Sequence, residues 1–318
     1  MFDVVEALRK SLDQTARAQI ASWLNDAPKG AAWHVISDYV FDDPNRHPTA
    51  SFVILLHYDK LAHLLDQIEE LAPVDIKKSR NASQGLISYL QSRAVFSFTF
   101  VLDEDDDLLR TFAPACEMIG GLEELCAYAE AMHHASGGID PYYAQAQKRM
   151  RSFVNDLRSR GNLKLARKMY IVASLASLVL DYLDQSTDPA FVSWVSDRDA
   201  ILDRHDGATW DIAALMAYII KAGRQPISEI EKGPLKIAKF MHVTPEQTGK
   251  NYLDPLIRLP DYLAAAASNM NLHTYDFGSP KLEAVGTNCF IQAENSVLCT
   301  LSWTGNGFTS RRLRFKQC

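Results

Sequence analysis

WHVISDYVF (residues 33–41), the turn-rich DDPNRHP (42–48) and SFVILLHY (51–58) decide the class of fold. The outer runs are rich in β-branched and aromatic residues, and the middle one is dense in turn-formers. Two β-type runs joined this way predict an antiparallel hairpin. Just beyond, Leu61, Leu64, Leu65, Ile68 and Leu71 recur at helical spacing behind Asp59, which predicts a helix capped by that aspartate. The loop PVDIKKSR (73–80) leads to a second helix over 82–92 and then to a strand, AVFSFTFVLD (94–103). Strands alternating with helices place the chain in the α/β class.

Working outward, residues 1–27 read as helix, with Val4, Val5, Leu8 and Leu12 on one face. Residues 104–188 are helical in pattern almost throughout, broken at Gly120-Gly121 and Gly137-Gly138, and read as a helical insert. β character returns in AFVSWVSDRD (190–199) and PLKIAKFMHV (234–243), on either side of a helix at 209–222. A helix opens at Pro260-Asp261. NCFIQA, SVLCTLSW and FTSRRLRF then predict three short strands. The organisation expected is a main domain over 1–278 and a small β-rich extension over 279–318.

Composition sets bounds. The 318 residues, 47% of them hydrophobic, suffice for a sizeable core. A net charge of −6 excludes a globally basic nucleic-acid binder but leaves room for a local basic patch. No apolar run reaches the roughly 18 residues of a membrane span, and the start, MFDVVEALRKSLDQ, lacks the pattern of a signal peptide. A cytoplasmic location is the expectation. Five cysteines, at 116, 126, 289, 299 and 318, form no CxxC pair and read as free thiols. The acidic run at 103–107 fails as a calcium loop, because its sixth and twelfth positions hold Leu108 and Pro114.

Acids recur where predicted strands and helices end. Asp38 lies in the first strand, Asp75 follows the helix after the hairpin, Asp197 and Asp199 close the 190–199 strand, and Asp261 opens a late helix. Carboxylates at the ends of neighbouring strands can converge on one edge of a sheet, where they repel unless a cation lies between them. Mg²⁺ or Mn²⁺ suits such an all-oxygen set and can support phosphodiester hydrolysis. Each acid also has an ordinary reading. Asp38 would hold a turn, Asp75 and Lys77 would form a solvated loop pair, and Asp261 would favour a helix start.

The order of these motifs resembles the DUF3800 family of ribonuclease H-like proteins: HVISDYVF, SFVILLHY, DIKKS, SWVSDRD and PLIRLPDYLAAA. Asp261, with Ala264 to Ala267 behind it, is the best match. The chain departs from the family where Glu-Ser-Gly should follow the first aspartate, and it has Asp75 where the middle motif has glutamate. The resemblance implies a ribonuclease H-like mixed sheet flanked by helices. It also implies a Mg²⁺- or Mn²⁺-dependent nuclease in which Asp38, Asp75, Asp197 (or Asp199) and Asp261 hold the metal and Lys77 faces a phosphate. The altered first motif favours an alternative, a non-catalytic adaptor that binds a protein partner in a bacterial multi-protein system such as phage defence.

Two basic stretches fit a nucleic-acid partner. QKRMRSFVNDLRSRGNLKLARK (147–168) sets eight basic residues, among them Arg158, Arg160, Lys164, Arg167 and Lys168, against Asp156 alone. It predicts an exposed helix or helix pair whose charges reach phosphates, or else a plain solvated face. The tail SRRLRFK places Arg312, Arg314 and Lys316 on one side of a strand.

Overall fold

The computed structural model describes residues 3–102, 107–138, 140–159, 161–197, 199–224, 239–243, 252–303 and 307–315. Two compact units emerge. One comprises 1–6, 109–181 and 198–237, and the other 7–108, 182–197 and 238–318.

The second unit holds a seven-stranded mixed sheet. Its strands are β1 (Ala32–Val40), β2 (Thr49–Leu56), β3 (Val95–Leu102), β4 (Phe191–Ser196), β5 (Lys239–Val243), β6 (Ser296–Trp303) and β7 (Phe308–Leu313), in the spatial order β5-β4-β1-β2-β3-β6-β7. The predicted hairpin is present: β1 and β2 pair antiparallel, with Asp38 opposite Ser51, and β3 continues the meander. β4 runs parallel to β1, and β5 parallel to β4. Residues 279–318, expected as a separate extension, supply β6 and β7 to this same sheet, β6 pairing parallel to β3.

Alternation along each strand divides the residues between two faces. One face carries Phe52, Phe96, Phe98 and Phe100, all fully buried. Residues of α1 (Asp3–Thr15), α2 (Arg17–Leu24) and Tyr182 meet this side, where the Tyr182 ring stacks on Phe98 and its hydroxyl donates to Asp13. The other face carries Ile36, Val53, Leu55, Val195 and Leu298, in one core with α3 (Leu61–Leu71) and α4 (Gln84–Leu90). A late helix over Asp254–Ser268 and a short one over Pro280–Gly286 complete that layer. They follow α5 (Asp107–Phe112), α6 (Ala115–Ala135), α7 (Pro141–Ser159), α8 (Leu163–Thr187), α9 (Ala200–Asp203) and α10 (Ala208–Arg224), and are labelled α11 and α12.

Several local readings change. Residues 1–27 form two helices rather than one. Asp59 does not cap α3, whose N-cap is Lys60; its carboxylate accepts instead from the Lys60 N–H and contacts His63. The NCFIQA run is a π-helical turn over Thr287–Gln292, not a strand, so Cys289 and Cys299 do not face each other across a hairpin. Both are buried free thiols. Most consequentially, α11 begins at Asp254 with Pro255 in its first turn, and Pro260-Asp261 lie inside it. The N–H groups of the first turn have no helical partner, so Pro255 is tolerated there and the apolar run LIRLP belongs to the helix it was expected to precede. Pro260 removes one helical hydrogen bond, and the helix continues through it with nearly every residue buried. Residues 103–106, Arg160, Arg198 and 234–238 lie outside the described residues.

The first unit contains the expected helices, and the basic segment is a helix pair with Lys148, Arg151, Arg158 and Lys164 exposed, but several of its cations are paired within the unit. Arg149 forms a two-point ion pair with buried Asp211, at 2.6 and 2.8 Å. Arg151 pairs with Glu130 and Arg158 with Glu123. Arg167 donates to the Ala113 carbonyl, and Lys168 is buried. The basic residues that the sequence leaves unmatched locally find acids and carbonyls from other helices. Lys164 remains exposed.

Candidate functional site

Asp38 occupies the C-terminal half of β1, on the face that α11 covers, and is 8% exposed. Asp261 comes from α11, which packs across β1 and β2, and is 5% exposed. The stretch Ala264–Ala267 explains how the helix lies so close, since methyl side chains let its backbone approach the sheet.

The loop between α3 and α4 brings Lys77 to Asp261. Asp75 shapes it, accepting from the Lys77 N–H at 2.6 Å. Three tethers hold it against the helical layer. Arg258 donates to the Ala72 carbonyl, the Tyr262 hydroxyl accepts from the Ser83 N–H at 3.3 Å, and Lys281 Nζ donates to the Ile76 and Ser79 carbonyls at 2.8 and 3.0 Å. Lys77 Nζ thereby lies 2.9 Å from Asp261 Oδ1. The contact is an ion pair rather than a directed hydrogen bond, for Oδ1 accepts no hydrogen bond of good geometry among the described residues. Asp197 lies just beyond the end of β4, exposed. Asp199 serves elsewhere, its carboxylate capping α9 through the Ile201 N–H at 3.1 Å.

The electrostatics join these groups. Burial pushes Asp38 well above the usual carboxylate range, and the charges of Asp261 and Asp197 push the same way. Lys77 and the Tyr39 N–H oppose them. Burial also raises Asp261, against the pull of Lys77, with the Asp75 carboxyl at hydrogen-bonding range adding to the rise. Burial alone would lower the Lys77 ammonium, but Asp261 and Asp38 outweigh it and hold the lysine charged. Four carboxylates thus act on one another around a single ammonium, and the two deepest are poorly satisfied. Asp38 Oδ2 is buried with no hydrogen-bond partner among the described residues. A buried, unpaired carboxylate oxygen is costly, and it must be protonated or meet a cation.

No protein-family model, curated protein or solved structure matches the chain.

The donor chemistry fits a hard divalent cation, being all oxygen with lone pairs left over. Among the described residues, no three His, Cys, Asp or Glu side chains already stand as a chelating set. Asp38 and Asp261, with Asp75 and Asp197 beside them, are the residues that would hold the ion.

A second polar cluster was not singled out in the sequence. At the opposite end of β1, on the same face, His34 Nδ1 lies 2.6 Å from Ser193 Oγ and its Nε2 lies 2.8 Å from His57 Nδ1. Burial, then the neighbouring His57, lowers His34 to about 4, so the ring is neutral at pH 7. Ser193 is buried on β4, which gives the chain of contacts a structural role. The alternation His34-Ile36-Asp38 was the available signal, since it sets the histidine and the aspartate on one face.

Proposed function

We propose that this chain is a divalent-metal-dependent phosphodiester hydrolase of ribonuclease H-like type, related to the DUF3800 family and acting on nucleic acid. The carrying observation is the pair of buried, mutually repelling carboxylates, Asp38 and Asp261, with the Lys77 ammonium 2.9 Å from the latter. The sheet supports the reading. An antiparallel β1-β2-β3 meander with β4 and β5 parallel to β1 is the kind of mixed sheet that this family implies.

Bound Mg²⁺ or Mn²⁺ would supply the positive charge that stabilises a phosphodiester under attack and would activate water. The protein's own groups supply the rest. Asp38 and Asp261 would hold the ion from two independent elements, a strand and a helix. Asp75 and Asp197, more exposed, would add negative charge beside it. Lys77 is half-exposed and can turn its ammonium to a phosphate oxygen once a cation has taken over the neutralisation of Asp261. The contact of 147–168 with phosphates forms no part of this reading, because its cations are largely paired within their own unit.

The test is a metal-titrated cleavage assay on single- and double-stranded DNA and RNA. Wild type should cut with Mg²⁺ or Mn²⁺. Asp38→Asn and Asp261→Asn should lose at least about a hundredfold in rate, since each keeps the shape and removes a charge that holds the ion. Asp42→Asn, in the hairpin loop, should retain activity. If wild type cuts nothing and binds neither metal, the protein is an interaction module built on this sheet.

A further inference from the structure

A cleft of about 530 Å³ opens on the same face of the sheet, over β6 and β7 beside the end of α11. Its lining includes His47, His273, Thr300, Ser302 and Arg311. We propose that this cleft is a subsite for the phosphodiester backbone of a single-stranded nucleic acid. The proposal rests on the hydrolase reading for the identity of the strand, while its evidence is separate.

The first observation is charge. Among the described residues, no carboxylate lines the cleft. Several other arginines of this acidic chain pair with acids, as Arg151, Arg158 and Arg258 do. Arg311 is exposed, and among the described residues its guanidinium meets a hydroxyl, Tyr275 Oη at 3.3 Å, and no carboxylate. A guanidinium fork flanked by two imidazoles is a set of donors for phosphate oxygens, while Thr300 Oγ1 donates to the Arg311 carbonyl and Ser302 Oγ shares a hydrogen bond with Thr309 Oγ1.

The second is the shape of the loop after α11. Asn271 Oδ1 accepts from the His273 and Thr274 N–H groups, and the Tyr275 N–H donates to the Asn271 carbonyl at 2.7 Å. Tyr275 is held at φ +61°, a conformation that costs a tyrosine free energy. The outcome is an exposed aromatic ring fixed beside the unpaired arginine. An aromatic face next to a cationic groove is the arrangement on which bases stack while the backbone is held.

The third is register. Asp38, Ser51, Thr99 and Leu298 form one row across the sheet, and Thr300 with Arg311 lies in the next row on the same face. That row is displaced toward the C-terminal end of β1, the end where Asp38 lies. Three strand spacings separate β1 from β6, roughly 14 Å. A short single strand spans that distance, so one strand can occupy the cleft and reach the carboxylates.

The experiment is fluorescence anisotropy of a labelled oligo-dT strand with the full chain, in EDTA so that no cleavage intervenes, with inorganic phosphate as competitor. Wild type should bind the strand. Arg311→Gln should weaken binding about tenfold and reduce the slope of log affinity against log salt by about one. His273→Gln should weaken it less, and Asp38→Asn should bind no more weakly than wild type. Millimolar phosphate should compete. The proposal is overturned if wild type does not bind, if Arg311→Gln binds like wild type, or if the cleft takes phosphate while the strand fails to compete. Should cleavage be absent while Arg311-dependent binding persists, the hydrolase reading falls and the subsite stands. Cleavage indifferent to Arg311→Gln, with binding equally indifferent, would have the reverse meaning.

Discussion

Asp38 and Asp261 illustrate how single side chains in this protein oppose stability. Each is buried against like charge, which Lys77 and, at Asp38, the Tyr39 N–H offset in part. Asp38→Asn removes one of the repelling charges and keeps a similar shape. In EDTA at neutral pH it should therefore raise the melting temperature by a few degrees, about 1 kcal/mol of stabilisation. A variant that melts lower than wild type would show that the carboxylate is structurally satisfied. His34 gives a prediction of opposite character. An unfolded histidine takes up its proton near pH 6.5, whereas the folded one resists until about 4. Its contribution is complete above pH 6.5 and is lost as pH falls toward 4, about 3 kcal/mol in all. Urea denaturation at pH 7 and pH 5 should show this loss, and His34→Gln should flatten it. The aspartates were visible in the sequence because they recur where predicted strands and helices end. The His34–Ser193–His57 contacts were not, because Ser193 is 159 positions away from His34.

Elements follow their local patterns more closely than single contacts do. β3 shows this best: phenylalanine at 96, 98 and 100 fixes one buried face, and Phe98 meets Tyr182 in a stack with ring centroids 6.2 Å apart. Phe98→Ala should cost about 3–5 kcal/mol by leaving a cavity between sheet and helix, readable as a lowered denaturation midpoint with an unchanged slope. Where the pattern misled, the cause is identifiable. PLIRLP looks like a loop before a helix because two prolines normally punctuate, yet the first proline sits in the first turn and the second is carried within a buried helix. NCFIQA has the apolar content of a strand, but it continues directly from α12 as a π turn. The last two strands were correctly read as β and pair with each other antiparallel; the neighbour on the other side of β6 was not legible. Neighbourhood in sequence suggested a separate meander, whereas β6 inserts beside β3, about 200 residues earlier. Deleting residues 293–318 should consequently expose the edge of β3 and the core that Leu298 and Leu301 cover. The shortened chain should aggregate, as size-exclusion chromatography would reveal; a monomeric, folded product would contradict the shared sheet.

At the scale of the whole molecule, the class α/β and the helical insert were legible, because hydrophobic period and length differ sharply between the two units. No helix among the described residues is long and apolar enough to cross a membrane. Charge was the less legible property. The surplus of basic residues in 147–168 is real, but Arg149, Arg151 and Arg158 meet Asp211, Glu130 and Glu123 from helices distant in sequence. Among the described residues Arg311 meets a tyrosine hydroxyl and no carboxylate, where the sequence shows only an alternating basic tail. That same tail is divided by the pleat: Arg312 and Arg314 turn to the opposite face and donate to the Thr15 carbonyl, anchoring β7 to α1. Lys316 lies outside the described residues.

The central claim is that the Asp38–Asp261 pair exists to hold a divalent cation. Isothermal calorimetry of Mn²⁺ into the full chain tests it directly, with the titration repeated in buffers of different ionisation enthalpy. Wild type should bind one or two ions and release protons as it does, and Asp38→Asn and Asp261→Asn should each lose at least about tenfold in affinity. Binding that is absent in wild type, or equally strong in both variants, would contradict the account.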